Sequence, residues 1–375
     1  MANMQKSKNN PAFISGLDLA QGYYSEIVGP LLRSNYPALK YAAALIGEGS
    51  DVLGFDTEIS CDHDWGPRLL LFVDHKDLHC KDSILANLKN SLPKTYMGFA
   101  TGFIKTTAHL MDHGQSGDTV PRITIQSIDD YISDYLSIDI HGPITTIDWL
   151  TMPEQKLLAL TGGKVFYDAI GIEALRKKLS YYPNDVWLYL MASAWSAIEQ
   201  EEHLMGRAGI VGDELGSALI ASRLVQNIMR LCFLIARQYA PYAKWFGSAF
   251  NQLKAAGSLA SHLQGVLAAS NWQERQKHLS QAYTKLVSLH NQLQITELQV
   301  ESVLQFHERP FEVISMGRMS QSLIKAIKDP EIKALSRLPL IGSIDQLSSS
   351  TDLLSKSLWR SALTELYKTG GVGND

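Results

Sequence analysis

The sequence predicts an α+β fold, in which a small mixed sheet with helices is followed by a C-terminal helical bundle. Up to about residue 170, short apolar runs of β type alternate with stretches of helical periodicity. From about Gly171 to Ala269 the chain is almost wholly helix-patterned, and further helices follow. A chain of 375 residues, 45% of them hydrophobic, is long enough to bury a large core and to form two or three domains.

The first predicted domain spans residues 12–170 and follows a disordered tail over residues 1–11. Apolar positions recur at helical spacing before Pro37, and two uninterrupted apolar runs are bounded by turn residues, as buried strands are. Gly162 and Gly163 end a helix before another short strand. In chain order, we predict a helix over 15–33, strands over 41–46 and 69–73, a helix over 83–92, a β-type run over 120–127, helices over 128–136 and 151–160, and a strand over 164–167.

The second predicted domain spans residues 171–375 and is helical. One of its long amphipathic stretches carries a stripe of leucines and isoleucines from Leu215 to Ile235, and Pro241 ends that stretch. The predicted elements are helices over 183–205, 212–239, 271–298, 316–327 and 351–368, with a strand or extended link over 309–315.

Composition restricts the partners and the compartment. The formal charge is −4, the sequence pI is near 6.3, and no basic cluster is interleaved with aromatics, so we do not expect DNA or RNA to bind. The three cysteines, Cys61, Cys80 and Cys232, follow no disulfide or metal spacing, which fits a reducing compartment. The polar start MANMQKSKNNP lacks the apolar segment of a secretory signal, and no run of 18 or more apolar residues occurs. We therefore predict a soluble, cytoplasmic protein with no membrane partner.

The most informative motif lies between the first two predicted strands. Gly49 and Ser50 follow the first of them, and Asp62 and Asp64 precede the second. Residues two apart on a strand point to the same side, so both carboxylates are expected to aim at one point. Mg²⁺ is commonly held by one or two carboxylates and the phosphates of a nucleotide. The backbone N–H groups and hydroxyl of a Gly-Ser turn suit a phosphate. The motif thus predicts a metal at Asp62 and Asp64, and a triphosphate at Gly49 and Ser50.

This pattern resembles the polymerase-β-type nucleotidyltransferase superfamily, which includes the aminoglycoside adenylyltransferases. Further phrases resemble an uncharacterised bacterial branch of it, a domain-of-unknown-function family: SDVLGFDTEISCDHDWGPRLLLF, IDWLTMPEQKLLALTGGKVFYD, GRAGIVGDELGS and APYAKWFGSAF. The resemblance implies an enzyme that uses Mg²⁺ or Mn²⁺ to transfer a nucleoside monophosphate from an NTP to a small-molecule or protein hydroxyl. ATP is the expected nucleotide, and Asp62 and Asp64 are the implied catalytic residues. The resemblance also implies a helical substrate or lid domain that covers the nucleotide and builds the acceptor pocket.

Two other interpretations of the acidic pair stay open. Aspartates favour turns, so the pair could form a solvated turn before the strand. With Cys61 beside it, the pair could instead bind zinc or another transition metal, for which His75, His79 and Cys80 are the only further ligands close in sequence.

The superfamily's third carboxylate is missing from the expected place. The matching strand is the run VPRITIQS, which contains no acid, and the flanking Asp118 and Asp129 are poor substitutes by position. This departure favours a nucleotide-binding pseudoenzyme as an alternative function. A toxin–antitoxin component or interaction protein that uses the helical bundle as a partner surface is a third.

Four residues of the second domain complete the candidate site. Arg207 in GRAG has the planar fork suited to phosphate, and Lys244 in PYAKWFG resembles the helical-domain lysine that meets the triphosphate in several relatives. Each is predicted to lie in a turn and to bind nucleotide, with a surface lysine as the alternative for Lys244. Asp213 and Glu214 are either a helix start, which favours acids, or the missing base or acceptor contact.

A few other positions have open roles. Arg68 could pair with Asp62 and Asp64 instead of touching ligand, and Trp65 could be either core or a platform for adenine. Asp345 and Gln346 belong to the family-like pattern, but their residue types suggest no specific chemistry.

Overall fold

The structure is a computed structural model that describes residues 12–59, 65–104, 119–314 and 317–368. The chain forms two compact units. The first comprises Met1–Gly142 and Lys156–Ser180, and the second comprises Pro143–Gln155 and Tyr181–Asp375. The first unit therefore extends past the predicted boundary at residue 170, and the segment 143–155 groups with the helical unit.

From residue 12 to residue 180, short strands alternate with helices. In chain order these are α1 (Gly16–Tyr23), α2 (Gly29–Asn35), β1 (Tyr41–Leu45), β2 (Leu69–Val73), α3 (Lys81–Ser91), β3 (Thr95–Tyr96), β4 (Phe99–Ala100), β5 (Gly102–Ile104), β6 (Thr119–Pro121), β7 (Ile123–Gln126), α4 (Ile128–Leu136), α5 (Thr146–Thr151), α6 (Glu154–Thr161), β8 (Lys164–Asp168) and α7 (Ile172–Lys178).

From residue 181 onward the described chain is mostly helical. Its elements are α8 (Asn184–Ile210), α9 (Glu214–Ile235), α10 (Ala243–Gln252), α11 (Ala256–Ala268), α12 (Trp272–Gln292), β9 (Leu304–Gln305), β10 (Glu312–Val313), α13 (Arg318–Ala326), α14 (Pro330–Leu335), α15 (Ile344–Leu347), α16 (Thr351–Ser355) and α17 (Arg360–Thr364). The α+β class, with a small mixed sheet and a C-terminal helical region, is confirmed.

A four-stranded mixed sheet organises the first unit, with the strand order β7–β2–β1–β8. Both β2 and β8 pair antiparallel with β1, whereas β7 pairs parallel with β2. All five residues of β1 are buried, as expected for a central strand covered on both faces.

One edge of this sheet collects the ends of all four strands. The end of β1 meets the starts of β2 and β8, because Ala44 pairs with Leu70 and Leu45 pairs with Lys164. The start of β7 lies beside the start of β2, because Ile123 pairs with Leu69 in parallel register. The loop after β1, which contains Gly49 and Ser50, therefore leaves the sheet at this edge.

The core of the first unit packs the N-terminal helices on the sheet. Leu19 and Tyr23 of α1 and Leu32 of α2 are fully or almost fully buried, and they belong to one apolar cluster with β1 and β2. The helix predicted over 15–33 is present, with a π-helical turn at Tyr24–Val28 joining α1 to α2.

Three predicted helices are shorter than expected or broken. The helix predicted over 151–160 is split, because Met152 precedes Pro153 and adopts extended backbone with ψ of 124°. The helix predicted over 271–298 ends at Gln292, and Gln294 follows with φ of +54°, which no helix residue adopts. The helix predicted over 351–368 is likewise broken into α16, α17 and two short 3₁₀ turns.

The apolar stripe of α9 enters the core only in its second half. Leu224, Ile228 and Leu231 are buried, whereas Leu215 and Leu219 are 74% and 57% exposed. Of the helices in the described ranges, α9 alone is long and apolar enough to cross a bilayer by length and composition. No membrane span was predicted because the sequence has no uninterrupted run of 18 apolar residues. α9 meets a less strict criterion, which is the mean hydropathy of an 18-residue window. Within the helical unit, α9 packs against α8, α11 and α12.

Candidate functional site

The predicted acidic pair lies outside the described residues. Asp62 and Asp64 fall in the gap 60–64, together with Cys61 and His63. Their roles as metal ligands and catalytic residues therefore stay predictions. Within the described ranges, no three His, Cys, Asp or Glu side chains are grouped so that they could hold a metal ion.

The loop after β1 presents three backbone N–H groups that no acceptor among the described residues meets. The N–H of Gly47 donates to the carbonyl of Ala159, at 2.9 Å, and ties the start of the loop to α6. The next three N–H groups, of Glu48, Gly49 and Ser50, find no acceptor in the part of the chain that is described. Successive N–H groups of this kind suit an anionic oxygen. Gly49 and Ser50 thus carry the donors that the predicted phosphate contact requires, and the contact itself stays a prediction.

Two glycines are required by the shape of this loop. Gly47 has φ of +89° and Gly49 has φ of +141°, a region that residues with side chains rarely adopt. A Cβ at Gly47 would lie 2.7 Å from the Tyr131 hydroxyl oxygen. A Cβ at Gly49 would overlap the side chains of Asp51 and Arg68. The loop therefore lies directly against these three side chains.

An ion pair beneath the loop fixes its path. Nη2 of Arg68 donates to Oδ1 of Asp51 at 2.8 Å and to the carbonyl of Glu48 at 3.0 Å. The Asp51 side chain is 2% exposed, and its Oδ1 also accepts the N–H of Val52. Arg68 thus pairs with Asp51, an acid that the sequence interpretation did not name. The predicted pairing of Arg68 with Asp62 and Asp64 lies outside the described residues.

Tyr131 of α4 brings a buried hydroxyl to the same loop. Its side chain is 9% exposed, and its oxygen has no hydrogen-bond partner among the described residues. Burial raises the pKa of Tyr131, the Glu48 carboxylate raises it further, and the Arg68 guanidinium acts in the opposite direction. Tyr131 therefore stays protonated near neutral pH and keeps an O–H donor beside Glu48 and Arg68.

Gly49→Ala is expected to destabilise the first unit because the added methyl must displace Asp51 or Arg68. Gly54→Ala is the matched control, since Gly54 has φ of +71° in the same loop but nothing lies within 4 Å of a Cβ placed on it. We expect Gly49→Ala to lower the free energy of unfolding by about 3 kcal/mol and Gly54→Ala by about 1 kcal/mol. Urea unfolding followed by circular dichroism measures both, and equal losses would contradict the packing described for Gly49.

Trp65 is part of the core and does not form an open platform. Its side chain is 6% exposed, its indole N–H donates to Oδ2 of Asp56 at 2.9 Å, and its ring packs between Phe13 and Phe99. Of the two roles considered for Trp65, the structure supports the core one.

Sequence and register agree that the strand next to β2 carries no acid. The residues of β7 are Ile123, Thr124, Ile125 and Gln126, and they pair with Leu69 to Phe72. The flanking Asp129 lies in the first turn of α4, exposed, with Oδ2 3.1 Å from Nε2 of His141. Asp118 lies outside the described residues.

The zinc alternative gains no ligand set from the described residues. Nδ1 of His79 is 2.7 Å from the carbonyl of Lys76, and Nε2 is 3.2 Å from Sγ of Cys80. His79 is therefore hydrogen-bonded locally, within the 3₁₀ helix His75–Cys80.

The two predicted cations of the second unit lie on helices, so their assignment to turns is wrong. Arg207 is exposed in the last turn of α8, where Gly206 and Gly209 serve helix packing: a Cβ at Gly206 would lie 2.8 Å from the Phe311 ring. Lys244 is exposed in the first turn of α10, with Nζ 4.8 Å from the centre of the neighbouring Trp245 ring. Their contacts with nucleotide stay predictions.

The two acids after Gly212 have structural partners. Asp213 is the N-cap of α9 and accepts the N–H of Gly216 at 2.7 Å. Glu214 forms an ion pair with the buried Arg275 of α12, at 2.5 Å. Both therefore act at a helix start, as the simpler interpretation held, and a role as base or acceptor contact remains a prediction.

A buried acid pair in the second unit was not recognised in the sequence. Oδ2 of Asp345 accepts the N–H of Glu154 at 3.0 Å, and Oε2 of Glu154 accepts the N–H of Ala240 at 3.2 Å. Burial and mutual repulsion raise the pKa of Glu154 to about 7, and burial raises the pKa of Asp345 to about 6, against the attraction of Arg230. The neighbouring Gln346 completes a capping box with Ser343. The segment 342–347, GSIDQL, which contains Asp345 and Gln346, thus has a structural role in this unit.

A family model and a solved structure match this chain. Residues 149–246 match the model of a family described as "Domain of unknown function (DUF4037)", which agrees with the predicted link to an uncharacterised family. A solved nucleotidyltransferase-like protein from Exiguobacterium sibiricum 255-15 matches with 12% identity, over 74% of each chain, at a TM-score of 0.30. No curated protein matches the sequence.

Proposed function

We propose that this protein is a Mg²⁺-dependent nucleotidyltransferase, which moves a nucleoside monophosphate from an NTP to a small-molecule or protein hydroxyl and releases pyrophosphate and the hydroxyl proton. The proposed nucleotide is ATP. Gly49 and Ser50 bind its phosphates, and Asp62 and Asp64 hold the metal, Mg²⁺ or Mn²⁺.

The observation that carries the proposal is the run of unpaired donors on the loop after β1. The N–H groups of Glu48, Gly49 and Ser50 lack acceptors in the described structure, and the loop leaves the sheet at the edge where β2 begins. Glu48 is exposed and Gly49 and Ser50 are partly buried, so their N–H groups are open to a ligand, and successive donors of this kind suit one with anionic oxygens. A nucleoside triphosphate meets that requirement. Asp62 and Asp64, the predicted metal ligands, come shortly before β2 in sequence.

The residues of this chain divide the work of the reaction. The loop donors bind and orient the phosphates, and the Asp51–Arg68 pair keeps the loop in the shape that presents those donors. Asp62 and Asp64 bind the metal, which when bound neutralises phosphate charge and lowers the pKa of the acceptor hydroxyl. Orienting the reactants supplies much of the catalysis in transfers of this kind.

A nucleotide-binding pseudoenzyme is the second candidate, and the sequence of β7 favours it. β7 lies beside β2, where a third carboxylate would act as base or complete a second metal site, but its residues are Ile, Thr, Ile and Gln. Without that acid, the same loop would bind nucleotide without transferring it efficiently.

A labelled-ATP screen separates these functions. The protein is incubated with ATP labelled at the α-phosphate, Mg²⁺, and pools of metabolites, aminoglycosides and whole-cell protein. Label on an acceptor supports the transferase, and its loss in Asp62→Ala would tie transfer to the predicted metal ligands. Binding of ATP without transfer supports the pseudoenzyme. A co-purifying partner with neither binding nor transfer would contradict both, and would favour an interaction protein.

A further inference from the structure

We propose that Arg68, held in place by Asp51, contacts the phosphate that binds the loop after β1. This inference rests on the proposed function and assigns the positive charge of that site to the first unit itself. The sequence interpretation had placed that charge on Lys244 and Arg207 of the helical domain.

Most of the Arg68 donors are not used within the protein. A guanidinium has five N–H groups. Two of them, both on Nη2, donate to Asp51 and to the carbonyl of Glu48. The N–H groups of Nε and Nη1 have no acceptor among the described residues, and Nε is buried. A buried cationic donor without an acceptor is costly unless a ligand completes it.

The position of Arg68 matches that of the unpaired loop donors. A Cβ on Gly49 would overlap Nη2, so the guanidinium lies against the backbone of the loop. The side chain is 20% exposed, so it is neither sealed in the core nor free in solvent. Arg68, the loop N–H groups and the Tyr131 hydroxyl together offer donors of one kind, which suits an oxyanion such as a phosphate.

Asp51 acts as a positioning residue in this arrangement. Its carboxylate is buried and fixes the plane of the guanidinium through Oδ1, while the same oxygen accepts the N–H of Val52. Because Asp51 accepts a hydrogen bond from Nη2 of Arg68, a bound phosphate meets a guanidinium that is already oriented. Lys at this position would keep the charge but lose the planar fork that joins Asp51 and Glu48.

The test uses inorganic tripolyphosphate in EDTA, so that no metal takes part. Isothermal titration calorimetry should show binding to the wild type, about tenfold weaker binding to Arg68→Gln, and an intermediate loss for Asp51→Asn and Arg68→Lys. Arg33→Gln is the matched control, since it removes the same charge from the exposed last turn of α2 and should leave the affinity unchanged. A folded Arg68→Gln that binds as the wild type does would overturn the inference.

A second measurement covers the case in which Arg68→Gln does not fold. In the wild type, tripolyphosphate should protect Arg68 from modification by phenylglyoxal, as read by peptide mass spectrometry, and should leave the exposed Arg33 of α2 unprotected. Equal modification of Arg68 with and without tripolyphosphate would overturn the inference. Absence of metal-free binding, with binding of ATP and Mg²⁺ intact, would also overturn it while leaving the proposed function in place. Absence of ATP binding with Mg²⁺ would overturn the proposed function instead.

Discussion

Glu154→Gln is expected to change the free energy of unfolding more favourably at pH 8 than at pH 5. Burial and the neighbouring Asp345 raise the pKa of Glu154 from 4.5 to about 7, and burial raises that of Asp345 from 3.8 to about 6. The folded wild type therefore binds more protons than the unfolded chain between these values, so its stability falls as the pH rises through them. Glutamine removes one charge of the pair, so the stability of the variant should fall much less as the pH rises.

The size of this effect follows from the pKa shift. One pKa unit corresponds to about 1.4 kcal/mol, so the variant should gain on the order of 2 kcal/mol over the wild type between pH 5 and pH 8. The cation near the pair is Arg230, and the nearby Tyr181, Tyr182 and Tyr239 have raised pKa values and stay neutral in this range.

Urea unfolding of both proteins at the two pH values measures the difference. Glu308→Gln is the control, because it removes the same charge from the exposed surface of the same unit. Its effect should be nearly the same at pH 5 and pH 8. If Glu154→Gln behaves like Glu308→Gln, the buried pair does not govern the pH dependence.

Gly209→Ala is expected to cause a large loss of stability in the helical unit. Gly209 lies in α8 against Trp272, the first residue of α12, and an added Cβ would overlap the Cβ, Cγ and Cδ1 atoms of that tryptophan. The overlap involves the Cβ of Trp272 as well as its ring, so rotation of the side chain alone cannot relieve it. We expect the free energy of unfolding to fall by about 3 kcal/mol.

Gly247→Ala provides the opposite expectation on another helix of the same unit. Gly247 lies within α10, and nothing lies within 4 Å of a Cβ built there. Alanine should therefore raise the free energy of unfolding by about 0.5–1 kcal/mol through its helix propensity. Calorimetric or denaturant unfolding of both variants gives the comparison. If the two substitutions change the free energy of unfolding equally, the close contact between Gly209 of α8 and Trp272 of α12 does not affect stability.

The fold was predictable where local pattern and burial agree. The apolar runs that became β1 and β2, and the helical spacing before Pro37, each have one favourable placement. The limits of the prediction lie where the tertiary structure decides. Leu215 and Leu219 continue the stripe of α9 in sequence, yet they face solvent, whereas Ser217 and Ala221 of the same turns are buried. GRAG looked like a turn, although its two glycines allow close packing within a helix.

The candidate site was predictable only where its residues are close in sequence. Gly49 and Ser50 follow a strand directly, and the positive φ of Gly49 explains why glycine stands there. Arg68 and Asp51 meet only once β2 has paired with β1, so their contact required the sheet. Glu154 and Asp345 are 191 residues apart, and no local pattern joins them.

Binding of ATP in the presence of Mg²⁺ is the most direct measurement of the proposed function. Isothermal titration should show binding to the wild type and none to the variant that combines Asp62→Ala with Asp64→Ala. Thermal unfolding must be recorded beside it, because removal of two neighbouring carboxylates relieves their repulsion and can stabilise the unliganded fold. A folded double variant that binds ATP and Mg²⁺ as tightly as the wild type would contradict a nucleotide site built on Gly49, Ser50, Asp62 and Asp64.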